Sequence, residues 1–356
     1  MVLQESDHLS GTVNKMLRRR DFIEQVAAGT LAGVSISACR AVGVQPLNTS
    51  AASKSAPKKN AAKTTGSDDA EREVRLERLR PREIEQAMQV CPTLFQPLGT
   101  IEWHGVHNIV GLDAVKAHHL CVHAARHGGG LVAPPLFGGV GGLDQPHTFV
   151  MDPENDVHSL LVRGWVEKLV REAVRQGFRA VIILTGHYGA AQQIVIRDLA
   201  VRMSRSLAVP VLGTPEYFLG LDVGYLGDHA AWGETSLMLY LDPESVDLSR
   251  LGNPPHKGVG GRDPRKATHA DGKKIAETII ARLARLAQQM PKWDPATLQG
   301  FIDAEAALVN RQLALAATGK NVWTGWRNIK KGVFSEYGRL LVEQKFEEIV
   351  VLTKKM

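Results

Sequence analysis

Ala180-Val181-Ile182-Ile183-Leu184-Thr185-Gly186-His187-Tyr188-Gly189-Ala190 is the stretch whose reading sets the fold class. A short apolar run stops at a glycine, delivers a histidine into the turn, and gives way to a helix-like stretch over 191–206. Strand, turn and helix in that order make one unit of an α/β sheet. Ligands in open sheets of this kind gather at the carboxyl ends of the strands, so His187 stands where chemistry is expected.

The same alternation extends in both directions. Strands are predicted near 93–98, 131–134 and 209–213, and helices over 114–127, 157–176, from about 234, and over 271–289. Such a pattern predicts an α/β fold in three layers, a mostly parallel sheet flanked by helices. In the helix at 157–176, Leu160, Leu161, Trp165, Leu169 and Val170 read as the face that packs on the sheet.

Two other segments carry ligand chemistry. In 97–113, Glu102 and His104 are two apart, which on an extended chain puts both side chains on one face, and Asp113 returns after a glycine-containing loop. Two carboxylates and an imidazole suit Zn or Mn. In 227–236, His229 and Glu234 precede an apolar helix-like stretch; the competing reading is that Asp228 or Thr235 caps that helix and His229 is solvated.

Taken together, the three segments resemble the creatininase family, the creatinine amidohydrolases. Glu102-Trp103-His104-Gly105-Val106-His107 with Gly111-Leu112-Asp113 is similar to an opening motif Glu-Gln-His-Gly-Pro-His followed by Gly-x-Asp. Gly186-His187-Tyr188 is similar to the second motif. His229-Ala230-Ala231-Trp232-Gly233-Glu234-Thr235-Ser236 is similar to the third, His-Ala-Gly-x-x-Glu-Thr-Ser. The resemblance spans roughly residues 75 to 290.

That resemblance implies two divalent ions, Zn and/or Mn with Fe also compatible, bridged by Asp113. Glu102 and His187 would complete one site and His104 the other. Some members supply a further Glu two residues after the second-motif histidine; this chain has Gly189 there, and Glu234 is the replacement it offers. The implied chemistry is a metal-bridging hydroxide that adds to an amide or related carbonyl. His229 would shuttle the proton, with Glu234 beside it as a second catalytic group and Asp228 orienting the imidazole. His107 would hydrogen-bond a ligand carboxylate or a loop carbonyl.

Segment 141–152 departs from the family's Ser-x-Glu-His-x-x-Phe-Pro-Gly-Thr, so substrate contacts are assigned to Gln145, His147, Tyr188 and Trp232, and a small cyclic amide or related carbonyl ring is expected without commitment to creatinine itself. The alternatives are a lactone or an oxidised cyclitol or sugar ring, and, outside enzymology, an exported binding protein with a degenerate metal site. Gly138-Gly139-Val140-Gly141-Gly142 lacks the Lys-Ser/Thr of a phosphate loop and reads as a substrate loop.

The amino-terminal region carries a different message. Arg18-Arg19-Arg20-Asp21-Phe22-Ile23 precedes an apolar stretch over 26–38 that is too short to span a membrane. This resembles a twin-arginine export signal over 1–39, and Ile36-Ser37-Ala38-Cys39 resembles a lipobox that would place a lipid anchor on Cys39. Residues 40–70, rich in Ala, Ser, Thr and Lys, read as a flexible tether. The expected location is therefore outside the cytoplasm, periplasmic or membrane-anchored facing the periplasm.

Much of the excess positive charge behind the net +6 sits in that signal and tether, and no basic patch interleaved with aromatics accompanies it, so no nucleic-acid partner is expected. Cys91 and Cys121 read as buried small hydrophobes. The metallohydrolase domain is expected over 71–300, and 301–356 as an extension on that domain or on a neighbouring subunit, because the resemblance implies a homo-oligomer.

Overall fold

The computed structural model describes residues 72–319, 322 and 331–356; the expected export signal, lipobox and tether lie outside them. Four strands, β1 (Thr93–Leu98), β2 (Leu131–Val132), β3 (Ala180–Thr185) and β4 (Val211–Pro215), form an entirely parallel sheet in the order β2-β1-β3-β4. All residues of β1, β3 and β4 are buried, as a parallel sheet covered on both faces requires.

The connections run through α1 (Pro81–Val90), ahead of β1, then α2 (Leu112–Gly128), α3 (Leu161–Arg175) and α4 (Ala190–Leu207). After β4 come α5 (Trp232–Leu241), α6 (His269–Gln289), α7 (Pro295–Ala316), α8 (Tyr337–Val342) and α9 (Phe346–Lys354). Helix α2 packs with α5 and α6, and α4 packs with α3 and α7, which gives the three layers. Because β1 leads outward to β2 while β3 leads the other way to β4, the strand order reverses between β1 and β3. A crevice therefore opens outside their carboxyl ends.

Helix α3 differs from its sequence reading. Its buried stripe is Val162, Val166, Val170 and Ala173, spaced by about one helical turn, whereas Leu160, Leu161 and Trp165 are exposed. Leu161 and Trp165 sit a quarter-turn off the stripe and cannot reach the sheet. The described part of 301–356 packs on its own domain. There Arg197 of α4 pairs with Glu305 of α7 and donates to Tyr337 Oη of α8 (3.1 Å) and Thr214 Oγ1 of β4 (3.2 Å), all four buried. Cys91 and Cys121 are buried free thiols.

Candidate metal centre

Glu102 and His104 follow β1, and Asp113 stands in the first turn of α2. Gly99 and Gly186, just past the ends of β1 and β3, make this possible. A Cβ on Gly99 would lie 2.2 Å from Ala114 N, and one on Gly186 2.1 Å from Asp113 O. Any side chain at either position would drive the strand ends away from the start of α2. His187 then leaves β3 beside Asp113, and Glu234 enters from the first turn of α5.

These residues form two groups that share one carboxylate. In the first, the facing ligand atoms of Glu102, Asp113 and His187 lie within 4.8 Å of one another: His187 Nδ1 is 3.0 Å from Glu102 Oε2 and 3.1 Å from Asp113 Oδ2. In the second, His104 Nε2 is 3.1 Å from Asp113 Oδ1 and 3.7 Å from Glu234 Oε2. Each oxygen of Asp113 thus faces a different histidine. The opposite ring nitrogens are engaged by backbone: His104 Nδ1 donates to Glu102 O (3.0 Å) and His187 Nε2 to Val140 O (3.2 Å), which leaves the facing nitrogens with lone pairs. Glu102 Oε2 and His104 Nε2 are buried and make no hydrogen bond. Buried donor atoms left in this state, on carboxylates and imidazoles, fit divalent ions such as Zn or Mn.

Electrostatics point the same way. Burial by itself would lower the His104 imidazole, but Asp113 outweighs it and raises the group to about 9. His187 is raised well above the usual range, because Glu102 and Asp113 overcome its burial. Asp113 is held far below the ordinary carboxylate range by His104 and His187 despite full burial. The cluster demands positive charge between its members, either a proton on each imidazole or a cation that replaces it.

Glu234 is fixed from three directions. Its Oε2 accepts from Ala230 N (2.7 Å), its own amide donates to Asp228 Oδ1 (3.0 Å), and Lys116 Nζ lies 2.5 Å from Oε1. Lys116 is fully buried and also reaches Glu216 Oε1 (2.8 Å) and Tyr188 Oη (2.8 Å); Tyr188 Oη bonds in turn to Glu216 and Tyr225. Burial opposes the lysine's charge, and Glu216 and Glu234 more than restore it. Sequence reasoning missed Lys116 and Glu216, although both carried a signal. Lys116 is three residues past Asp113 on one face of α2, and Glu216 directly follows the carboxyl end of β4.

A cavity of about 530 Å³ opens on the cluster, with Glu102, Glu154, His187, Tyr188, Asp228 and His229 among its lining. The His229 ring lies 4.4 Å from that of His104, its Nε2 donates to Trp103 O (2.9 Å), and burial and then His104 lower its basicity. His229 also comes within ligand reach of Glu102 and His104.

Asp228 does not orient His229. Its carboxylate caps α5, accepting from Gly233 N (2.7 Å) and Glu234 N (3.0 Å), since the free amides of a helix start are stronger claimants than an imidazole already bonded to Trp103. Of its two expected partners His107 meets the loop carbonyl, that of Ala230, and not a ligand carboxylate; its Nε2 is 3.2 Å from Thr235 Oγ1, and burial pushes it down to about 4. Of the expected substrate contacts, Tyr188 lines the cavity, but Trp232, Gln145 and His147 do not. Trp232 Nε1 donates to Asp271 Oδ2 (3.1 Å) while Arg262 stacks on its ring, and His147 is exposed on a turn at φ 65°. Gly189 has no room for a larger residue: a Cβ there would lie 2.7 Å from His187 Nε2 and 3.0 Å from Glu154 Oε2.

The profile of the Creatininase family, described as creatinine amidohydrolase, matches residues 77–287. Creatinine amidohydrolase of Pseudomonas putida is 31% identical, over 44% of this chain and 67% of that protein. Among solved structures, a crystal structure of creatinine amidohydrolase (creatininase) is 25% identical with a TM-score of 0.52, covering 62% of this chain and 99% of that one. A mutant creatininase described as Zn-Zn type is likewise 25% identical, with a TM-score of 0.50 and coverages of 62% and 99%.

Proposed function

Because the chain belongs to the creatininase family, whose profile matches more than half of it, we propose that it is a metal-dependent hydrolase that opens a small cyclic amide. The observation that carries this reading is the shared carboxylate, with Asp113 turning one oxygen to His104 and the other to His187. Glu102, Asp113 and His187 would hold one ion, and His104, Asp113 and Glu234 the other. When bound, such ions polarise a carbonyl and lower the pKa of water toward neutrality.

The chain's own groups do the rest. The Trp103 carbonyl keeps the His229 proton on Nε2, which leaves Nδ1 as the acceptor available within the cavity wall. An imidazole whose basicity is lowered by burial takes a proton from the attacking water and releases it to the leaving nitrogen near neutral pH. Ala230 N and Lys116 fix the Glu234 carboxylate within the cluster, and Leu143 N (2.6 Å from Oε1) fixes that of Glu102 at the cavity wall.

The test is elemental analysis of purified protein, wild type against Asp113→Ala, followed by a turnover screen of cyclic amides. About two divalent ions per chain in the wild type, lost in the variant together with turnover, is the expected result. Metal content unaffected by the substitution would overturn the shared site.

A further inference from the structure

The charge of the substrate is written in the cavity wall. Among the described residues no lysine or arginine lines the cavity, whereas three carboxylates do: Glu102, Glu154 and Asp228. Glu102 faces His187 in the candidate metal cluster, and both oxygens of Asp228 accept amides of α5. Glu154 is different. Its Oε1 accepts from Ala191 N (3.2 Å) at the start of α4 with the Ala190 amide beside it, its Oε2 makes no hydrogen bond, burial raises the carboxyl above its usual range, and no lysine or arginine pairs with it among the described residues. The cation behind Tyr188, Lys116, is fully buried and already spent on Glu216, Glu234 and Tyr188. Two divalent ions would be offset to about +1 by Glu102, Asp113 and Glu234, and Glu154 together with Asp228 takes the substrate space to about −1.

We infer that the cavity takes uncharged or cationic rings and rejects rings that carry a carboxylate or a phosphate, with Glu154 as the residue that sets this selection. The inference rests on the hydrolase reading for the identity of the ligand as a small ring. The physical ground is that an anion entering this space meets an unneutralised carboxylate across a wall of low polarisability, where repulsion is far less screened than in water. A cyclic amide or cyclic amidine, by contrast, brings N–H donors that three lining carboxylates and Gln193 can accept.

The test uses the metal-loaded full chain and probes on one five-membered ring: 2-pyrrolidone and 5-oxoprolinamide (neutral, the latter matched in size to the anion), 2-iminopyrrolidine (cationic when protonated) and 5-oxoproline (anionic). Binding is measured by calorimetry at neutral pH, with metal content checked for each protein. The wild type is expected to bind the neutral and cationic rings at least tenfold more tightly than the anionic one, and Glu154→Gln to narrow that gap by about tenfold with its two ions retained. Glu154→Ala should do the same. Equal or tighter binding of 5-oxoproline by the wild type, or a gap unchanged in both variants, overturns the selection while leaving the hydrolase reading intact. Failure of the metal-loaded wild type to bind any of the rings overturns both.

Discussion

Stripping the ions from this protein should make its stability fall steeply between pH 6.5 and 9. His104, fully buried, has its pKa raised from 6.5 to about 9 by Asp113 against the cost of burial. A group raised in the folded state stabilises fully below its unfolded pKa, and that contribution is lost as pH climbs through the folded value. Asp113, held low, stays ionised across this window in both states and adds no slope. The span of about 2.5 units at 1.36 kcal/mol each is worth about 3 kcal/mol for His104, and His187, also raised, pushes the same way. Protein treated with chelator and unfolded in urea at pH 6.5, 7.5, 8.5 and 9.5 should lose stability progressively, while metal-loaded protein stays nearly flat, since the ion takes the place of the protons. His104→Gln should remove only the His104 share of the slope, and His104→Gln/His187→Gln most of it. A flat profile without metal, or the same slope with metal, would refute the claim that the two histidine–carboxylate pairs are built around positive charge.

Glu234→Gln should leave Glu102, Asp113 and His187 untouched and lower the metal content from about two ions to about one, as read by elemental analysis. Lys116→Met leaves Glu216 and Glu234 buried without their cation and should destabilise by roughly 3–5 kcal/mol, with Lys116→Met/Glu216→Gln recovering much of the loss in urea titrations. Arg197→Met strands Glu305 in the same way, at about 3–5 kcal/mol, and limited proteolysis should then cut first within α7. Trp165→Ser on the exposed face of α3 should change stability by no more than about 0.5 kcal/mol, while Val166→Ala on its buried stripe should cost about 1 kcal/mol or more in the same assay.

Local pattern was enough to announce the parallel sheet, because a buried strand such as Ala180–Thr185 is apolar throughout and a parallel crossover needs the helix that follows it. The ligand-bearing segments were legible for a related reason. Glu102 and His104, His187, and His229 with Glu234 each stand at the end of a strand or the start of a helix, where turn chemistry marks the chain.

Assignments that depend on which way a side chain turns were not legible. Asp228 had two acceptable partners in sequence, the α5 amides and His229, and only the folded helix start decides for the amides. Periodicity showed that α3 is amphipathic, but Leu161 and Trp165 lie just off the stripe that meets the sheet, and apolarity alone could not exclude them. Trp232 is drawn to Asp271, which is 39 residues away.

The sequence by itself determined the α/β class, the three ligand-bearing segments and the family resemblance, since each is carried by neighbours along the chain. Tertiary structure alone decided that Asp113 divides its oxygens between two histidines, that Lys116 locks Glu234, and that Glu154 reaches the cavity wall. Those relations reach 74 positions along the chain for Asp113 and His187 and 118 for Lys116 and Glu234, and their energies arise from burial and mutual distance, neither of which is a property of any one segment.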